Sequence, residues 1–151
     1  MKIQFVGVTG ITHYCVNAVL RYLQFNDNIS KVFVISNEQR HALVLYTECD
    51  EIIAVKSGFN SWYNGEGPKW LAYILSLLNE KNIEIEEHDV ERHIFEKIDS
   101  SCLSESELRD IETSSQGGSD HCRNYIYNAY SNKEILLERF PSVIPFFIID
   151  P

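Results

Sequence analysis

The chain has 151 residues, 44% hydrophobic and 12% aromatic, enough for one domain with a real core and too apolar for a disordered chain. A formal net charge of −9 argues against direct nucleic-acid binding, because phosphate contacts need an excess of lysine and arginine. No apolar run reaches the roughly 18–20 residues of a membrane span, and the start, Met1-Lys2-Ile3-Gln4-Phe5-Val6, lacks a signal-peptide layout, so a soluble, cytoplasmic protein is expected.

In chain order, Lys2 to Val8 reads as a buried strand broken by Thr9-Gly10. A helix follows from about Thr12 to Gln24. Ile11, Tyr14, Cys15, Ala18, Val19, Tyr22 and Leu23 recur at helical spacing and form one apolar stripe. Lys31 to Ser36 is a second strand, rich in β-branched residues. Strand, helix and strand together predict a βαβ unit. Gly7-Val8-Thr9-Gly10 occupies the place of a phosphate-binding turn, and Ser36-Asn37-Glu38 the place where an acid meets a ribose. The layout resembles the opening of a Rossmann domain. However, Ile11-Thr12-His13 follow Gly10, so the third glycine of the G-x-G-x-x-G fingerprint is missing. A structural strand-to-helix turn is the expectation there.

Ala42 to Thr47 and Ile52 to Val55 are two further strands across a polar break, either a hairpin or a strand beside a crossover. Ser57 to Pro68 is a glycine-containing loop with Phe59, Trp62 and Tyr63, and a mostly buried helix runs on from Lys69 to about Lys81. Trp62, Tyr63 and Glu66 are candidate partner contacts, because aromatic residues anchor interfaces. Folding of the loop back onto the sheet is the competing expectation. The helix start at Gly65–Pro68 is a candidate anion or ligand site.

Residues 80–112 hold 12 acidic side chains against four basic ones, and so carry −8 of the −9 charge. Ile83-Glu84-Ile85-Glu86 alternates as an edge strand with one packed and one carboxylate face. A helix is expected from Glu91 to Ile98, and another begins at Ser104, with Glu107 completing a capping box. Glu84, Glu86, Glu87, Asp89, Glu105, Glu107, Asp110 and Glu112 are the candidate partner surface; a merely solvated face is the alternative. His88 sits among acids that should hold it protonated longer, although an ordinary surface histidine is the leading expectation. Thr113 to Asp120 reads as a flexible loop, Asn124 to Phe140 as helix, and Pro145 to Ile149 as an apolar tail that docks on the core or adds a strand.

No nucleophile–base constellation is present, so no enzyme activity is expected. Cys15, Cys49, Cys102 and Cys122 lie far apart and read as reduced core thiols. His13, Cys15, His121 and Cys122 lack zinc-ligand spacing. Neither a metal nor a cofactor is expected. The fold class is α/β, a single domain over 1–151, with a two- or three-layer sandwich around a parallel or mixed sheet of about five strands.

In size, acidity and absence of catalytic motifs, the chain resembles the small immunity proteins that neutralise bacterial toxin domains. That resemblance, one of composition, implies an inhibitor that binds a basic protein partner such as a toxin nuclease. The alternatives are a small nucleotide- or anion-binding α/β enzyme using Gly7–Gly10 and Gly65–Pro68, and a structural or regulatory subunit with no ligand.

Overall fold

A computed structural model describes residues 2–24, 28–60 and 66–113. The elements are β1 (Ile3–Val6), α1 (Thr12–Gln24), β2 (Ile29–Asn37), β3 (Arg40–Thr47), β4 (Ile52–Asn60), α2 (Glu66–Glu80), β5 (Glu84–Asp89), α3 (Arg92–Asp99) and α4 (Glu105–Thr113). The strands form one mixed sheet in the order β1-β4-β3-β2-β5. β2, β3 and β4 are an antiparallel meander, while β1 joins β4 and β5 joins β2 in parallel. The α/β class and the five-stranded sheet are as expected. The expected βαβ unit is present in split form: β1 and β2 are parallel strands joined through α1, with β4 and β3 lying between them.

The sheet is covered on both faces. Val32 and Val34 of β2, with Leu43, Leu45, Ile53 and Val55, pack against α1 and α2. Phe33 and Ile35, with Val44 and Ala54, pack against Phe95, Ile98, Leu108 and Ile111 of α3 and α4. A strand buried on both sides has no polar face to alternate, which explains the continuous apolar runs of the central strands. The result is a three-layer sandwich with two cores.

β2 turns straight into β3. Asn37 pairs with Arg40, and Glu38 takes the left-handed conformation at φ 57° that such a tight hairpin demands. Glu38 is therefore a turn residue. The β3–β4 link is likewise a hairpin, closed by Thr47 Oγ1 accepting from the Glu51 N–H at 3.0 Å.

β4 runs on to Asn60, so Ser57-Gly58-Phe59 belong to the sheet and not to a loop. Phe59 is 2% exposed. Within β4 the pairing breaks: His41 faces Phe59 and Leu43 faces Val55, so Lys56, Ser57 and Gly58 together oppose Ala42. This bulge has backbone groups that the ladder cannot serve. The Ser57 N–H donates to Asp99 Oδ1 at 2.8 Å, and its hydroxyl donates to Asp99 Oδ2 at 2.6 Å. The Ser57 carbonyl accepts from the Gly10 N–H at 2.6 Å, and the Gly58 carbonyl accepts from Thr12 Oγ1. The bulge therefore clamps the β1–α1 turn on one side and the end of α3 on the other.

The capping box forms as the sequence predicts. The Ser104 N–H donates to Glu107 Oε1 at 3.0 Å, and the Glu107 N–H donates to Ser104 Oγ at 3.2 Å. Of the four cysteines, Cys15 is buried, whereas Cys49 and Cys102 are exposed, which corrects the core expectation for those two. The expected 113–120 loop beyond Thr113, the 124–140 helix, the 145–149 tail, His121 and Cys122 lie outside the described residues.

Candidate functional site

The acidic block does not fold as one surface. Glu84 and Asp89 are exposed on β5, and Glu86 is half-buried. Glu87 is only 2% exposed, so it cannot meet a partner as the sequence suggested. In register with Val34, it points to the α1/α2 face. Glu107 is engaged by Lys97 and by its own capping box, with the Lys97 ammonium first among the causes that hold its carboxyl down to about 2. Glu112 accepts the Tyr46 hydroxyl at 2.7 Å. Glu105 and Glu112 line a groove of about 470 Å³ together with Lys31 and Arg109, so cations interleave with the acids there. Asp99 holds Ser57 and Arg40, the latter at 3.2 Å. Asp110 is exposed. A block that looks uniform in sequence is thus divided among a sheet edge, a cap, a buried network and a mixed-charge groove.

The buried network joins three strands. Ser36 Oγ donates to Glu87 Oε2 at 2.8 Å and lies 2.7 Å from His41 Nδ1. One hydroxyl carries one hydrogen. With that hydrogen on Glu87, the serine oxygen accepts and His41 Nδ1 donates. Ser36 and His41 are each 1% exposed. The order carboxylate–serine–histidine leaves no activated hydroxyl, since a nucleophilic serine must give its proton to the imidazole. The network fixes the alignment of β5, β2 and β3. His88 lies on the opposite face, fully buried, its ring 4.6 Å from that of Phe33. Burial pushes its pKa below the ordinary histidine value, against the pull of Glu86. Both expectations for His88 are corrected: it is buried and not on the surface, and desolvation outweighs the neighbouring acids that were to hold its proton longer.

The glycine turn is built for packing. The Gly10 N–H is engaged by Ser57, and the Ile11 N–H donates to the Val8 carbonyl at 3.1 Å. Gly7 and Gly10 have φ of 83° and 77°. A Cβ on Gly7 would lie 2.9 Å from Cys15 Sγ, so glycine here lets α1 approach the sheet. Cys15 Sγ lies 3.2 Å from the Lys56 carbonyl, and burial pushes its thiol up to about 11, far from a reactive thiolate. At α2, Gly67 packs on the Asn60 side chain, where a Cβ would come within 2.8 Å. Glu66 is the first residue of α2, while Trp62 and Tyr63 lie outside the described residues.

One surface feature escapes the sequence reading. Among the described residues, the exposed large hydrophobic side chains are Val8 (43%), Ile11 (43%) and Tyr14 (55%). The helical stripe had placed Ile11 and Tyr14 in the core. Cys15, Ala18 and Val19 of that stripe are buried as expected, but they are joined in the core by Val16 and Leu20 and not by Ile11 and Tyr14. The clamped turn fixes how the helix is rotated and leaves Val8, Ile11 and Tyr14 outward. Beside them a groove of about 640 Å³ runs between β1 and α1, lined by Val6, Val8, Tyr14, Ala18, Arg21 and Tyr22 among others. The competing signal was present in the sequence: Val16 and Leu20 define a second apolar phase of the same helix.

No family model matches the chain, and no curated protein sequence matches it. Among solved structures, the fold is similar to that of a chain in respiratory complex I from Thermus thermophilus. The similarity covers 82% of this chain and 99% of that one, with a TM-score of 0.65 and 18% identity. It overturns the expectation of a toxin-neutralising immunity protein and of a basic toxin domain as its partner. The divided acidic block gives the physical reason, because among the described residues no continuous carboxylate face exists to imitate a phosphate backbone. At 18% identity the likeness is one of architecture: this chain has the α/β fold of a constituent of that assembly.

Proposed function

We propose that this chain is a small protein-binding subunit of a multi-protein assembly of the respiratory complex I kind, with other subunits of that complex as its partners. The observation that carries the reading is the extent of the fold likeness, which takes in 99% of the similar chain and leaves almost none of it unaccounted for. The clustered apolar side chains of Val8, Ile11 and Tyr14 add support, since apolar surface held outward marks an interaction site. In this reading the chain contributes surface and not chemistry. Among the described residues, no helix is long and apolar enough to cross a membrane, and attachment is through protein contacts.

The test is native electrophoresis of a mild-detergent extract from the native host, with the chain tagged at its own locus and bands identified by mass spectrometry. Co-migration with respiratory complex I subunits at high mass is the expected result. Migration as a free monomer, with those subunits running elsewhere, overturns the reading.

A further inference from the structure

The two edges of the sheet are unlike. Among the described residues, β5 pairs with β2 alone, and its edge carries Glu84, Glu86 and Asp89. Acids on an edge strand repel a second strand. Among the described residues β1 likewise pairs with β4 alone, and it reads Ile3-Gln4-Phe5-Val6, with no charge and no proline. An edge strand presents a row of backbone N–H and C=O groups to the outside. The natural complement to that row is another extended backbone. Beyond the backbone row lies the groove between β1 and α1, with the Val8, Ile11 and Tyr14 side chains at one end.

These side chains are exposed by construction. The Gly10 N–H to Ser57, the Thr12 hydroxyl to Gly58 and the Cys15 thiol near the Val8 and Lys56 carbonyls tie the turn to β4. A fixed apolar surface loses little freedom on binding. Among the described residues, Arg21 is the only charged side chain lining the groove. Its guanidinium gives the groove a local complement for a carboxylate, against the chain's overall charge of −9.

We propose that the β1 edge and its groove receive an extended segment of a partner subunit, which adds a sixth strand beside β1. Alternate apolar side chains of that segment lie over Val6, Ala18 and Tyr22, and a carboxylate meets Arg21. The proposal rests on the subunit reading above and names where the partner sits. It also sets the polarity of recognition: the partner segment is acidic and apolar, and the acidic half of this chain is not the contact.

Two experiments together decide it. A photo-crosslinking residue is placed at Gln4, and as a control at Glu84, in the tagged chain in its native host. A crosslink from Gln4 to a complex subunit, with none from Glu84, is expected. If the chain assembles but crosslinks only from Glu84, the edge proposal fails and the subunit reading stands. A Gln4 crosslink to a second copy, or within the chain to residues 114–151, also overturns the proposal.

The second experiment needs no assembly. The purified full-length protein is titrated with a fluorescein-labelled ten-residue peptide of alternating valine and threonine with one central glutamate. Binding should weaken at least about tenfold on Ile11→Asp or on Arg21→Glu, a loss of the size that anchor residues cause. Methylation of alternate peptide nitrogens should abolish it, because the ladder hydrogen bonds are then blocked. Amide exchange at Ile3–Val6 should slow when the peptide binds. If the chain fails to assemble yet β1 gains this protection, the edge receives strands and the subunit reading alone is wrong. No binding of the peptide to well-folded protein, together with no Gln4 crosslink, sinks the proposal. Circular dichroism of each variant keeps loss of fold apart from loss of binding.

Discussion

Asp99 is the side chain on which the clamp depends, and Asp99→Ala measures it. Its carboxylate accepts from the Ser57 N–H at 2.8 Å, the Ser57 hydroxyl at 2.6 Å and Arg40 at 3.2 Å. The three are not equal. Arg40 is 48% exposed, so its pair with Asp99 contributes about 0–1 kcal/mol. Ser57 is only 4% exposed. Its backbone N–H sits in a bulge with no ladder partner, and removing the acceptor leaves a buried donor unsatisfied at about 1–3 kcal/mol. The charge-assisted hydroxyl bond adds about 1 kcal/mol more. Asp99→Ala should therefore cost about 3 kcal/mol. Asp99→Asn keeps an acceptor for the N–H and should cost about 1 kcal/mol, the charge-assisted part. Urea unfolding by circular dichroism reads both as a drop in midpoint with an unchanged slope. Exchange at the Gly10 amide should quicken in Asp99→Ala, because Gly10 hangs from the other side of the same serine. A loss below about 1 kcal/mol for Asp99→Ala would show that the bulge stands without its clamp, and the account of why Val8 and Ile11 face outward would go with it.

Two further predictions concern stability. His88 is held neutral in the folded chain, so stability is full above the unfolded histidine value near 6.5 and declines as pH falls below it; His88→Phe should flatten the pH 5–7 arm of the urea-midpoint profile, and an unchanged arm refutes the assignment. Ser104→Ala removes the oxygen that accepts the Glu107 N–H, at a cost of about 1 kcal/mol, and thermal unfolding checks it. The Lys97 ammonium, helped by the same cap, holds Glu107 ionised, so its contribution is present above about 4.5 and lost as pH falls toward 2; in Glu107→Gln that loss should vanish.

Much of the fold was legible because it follows from local chemistry. The central strands are apolar on both faces, and the Ser104–Glu107 box announces its helix by type and spacing alone. What was not legible depends on residues far apart in sequence. Glu87 looks like one more surface acid until Ser36 arrives from another strand to bond it. His88 looks charged among its neighbours until Phe33 covers it. The length of β4 was misjudged because glycine and serine at Ser57-Gly58 signal a loop, whereas here they build a bulge that stays in the sheet. The candidate docking surface was hidden by a choice between two phases of one helix. Periodicity alone cannot decide it, because Ile11 and Tyr14 are as apolar as Val16 and Leu20. The clamped turn decides it.

The mixed sheet has a kinetic consequence. β2, β3 and β4 are joined by tight hairpins and form the antiparallel centre with short-range contacts alone. β1 finds its seat only when Ile52 to Val55 have been made, and β5 must return to β2 across the whole of β3, β4 and α2. Closing long loops is slow. The meander should therefore form first and both parallel edges last, although β1 leads the chain. During synthesis the first strand waits for its neighbour, with its backbone open on both sides. After folding, one of those sides is filled by β4, and among the described residues no strand fills the other. An amide-exchange experiment on the native chain should find the same order in reverse, with Ile3–Val6 opening at lower cost than Val32–Ile35.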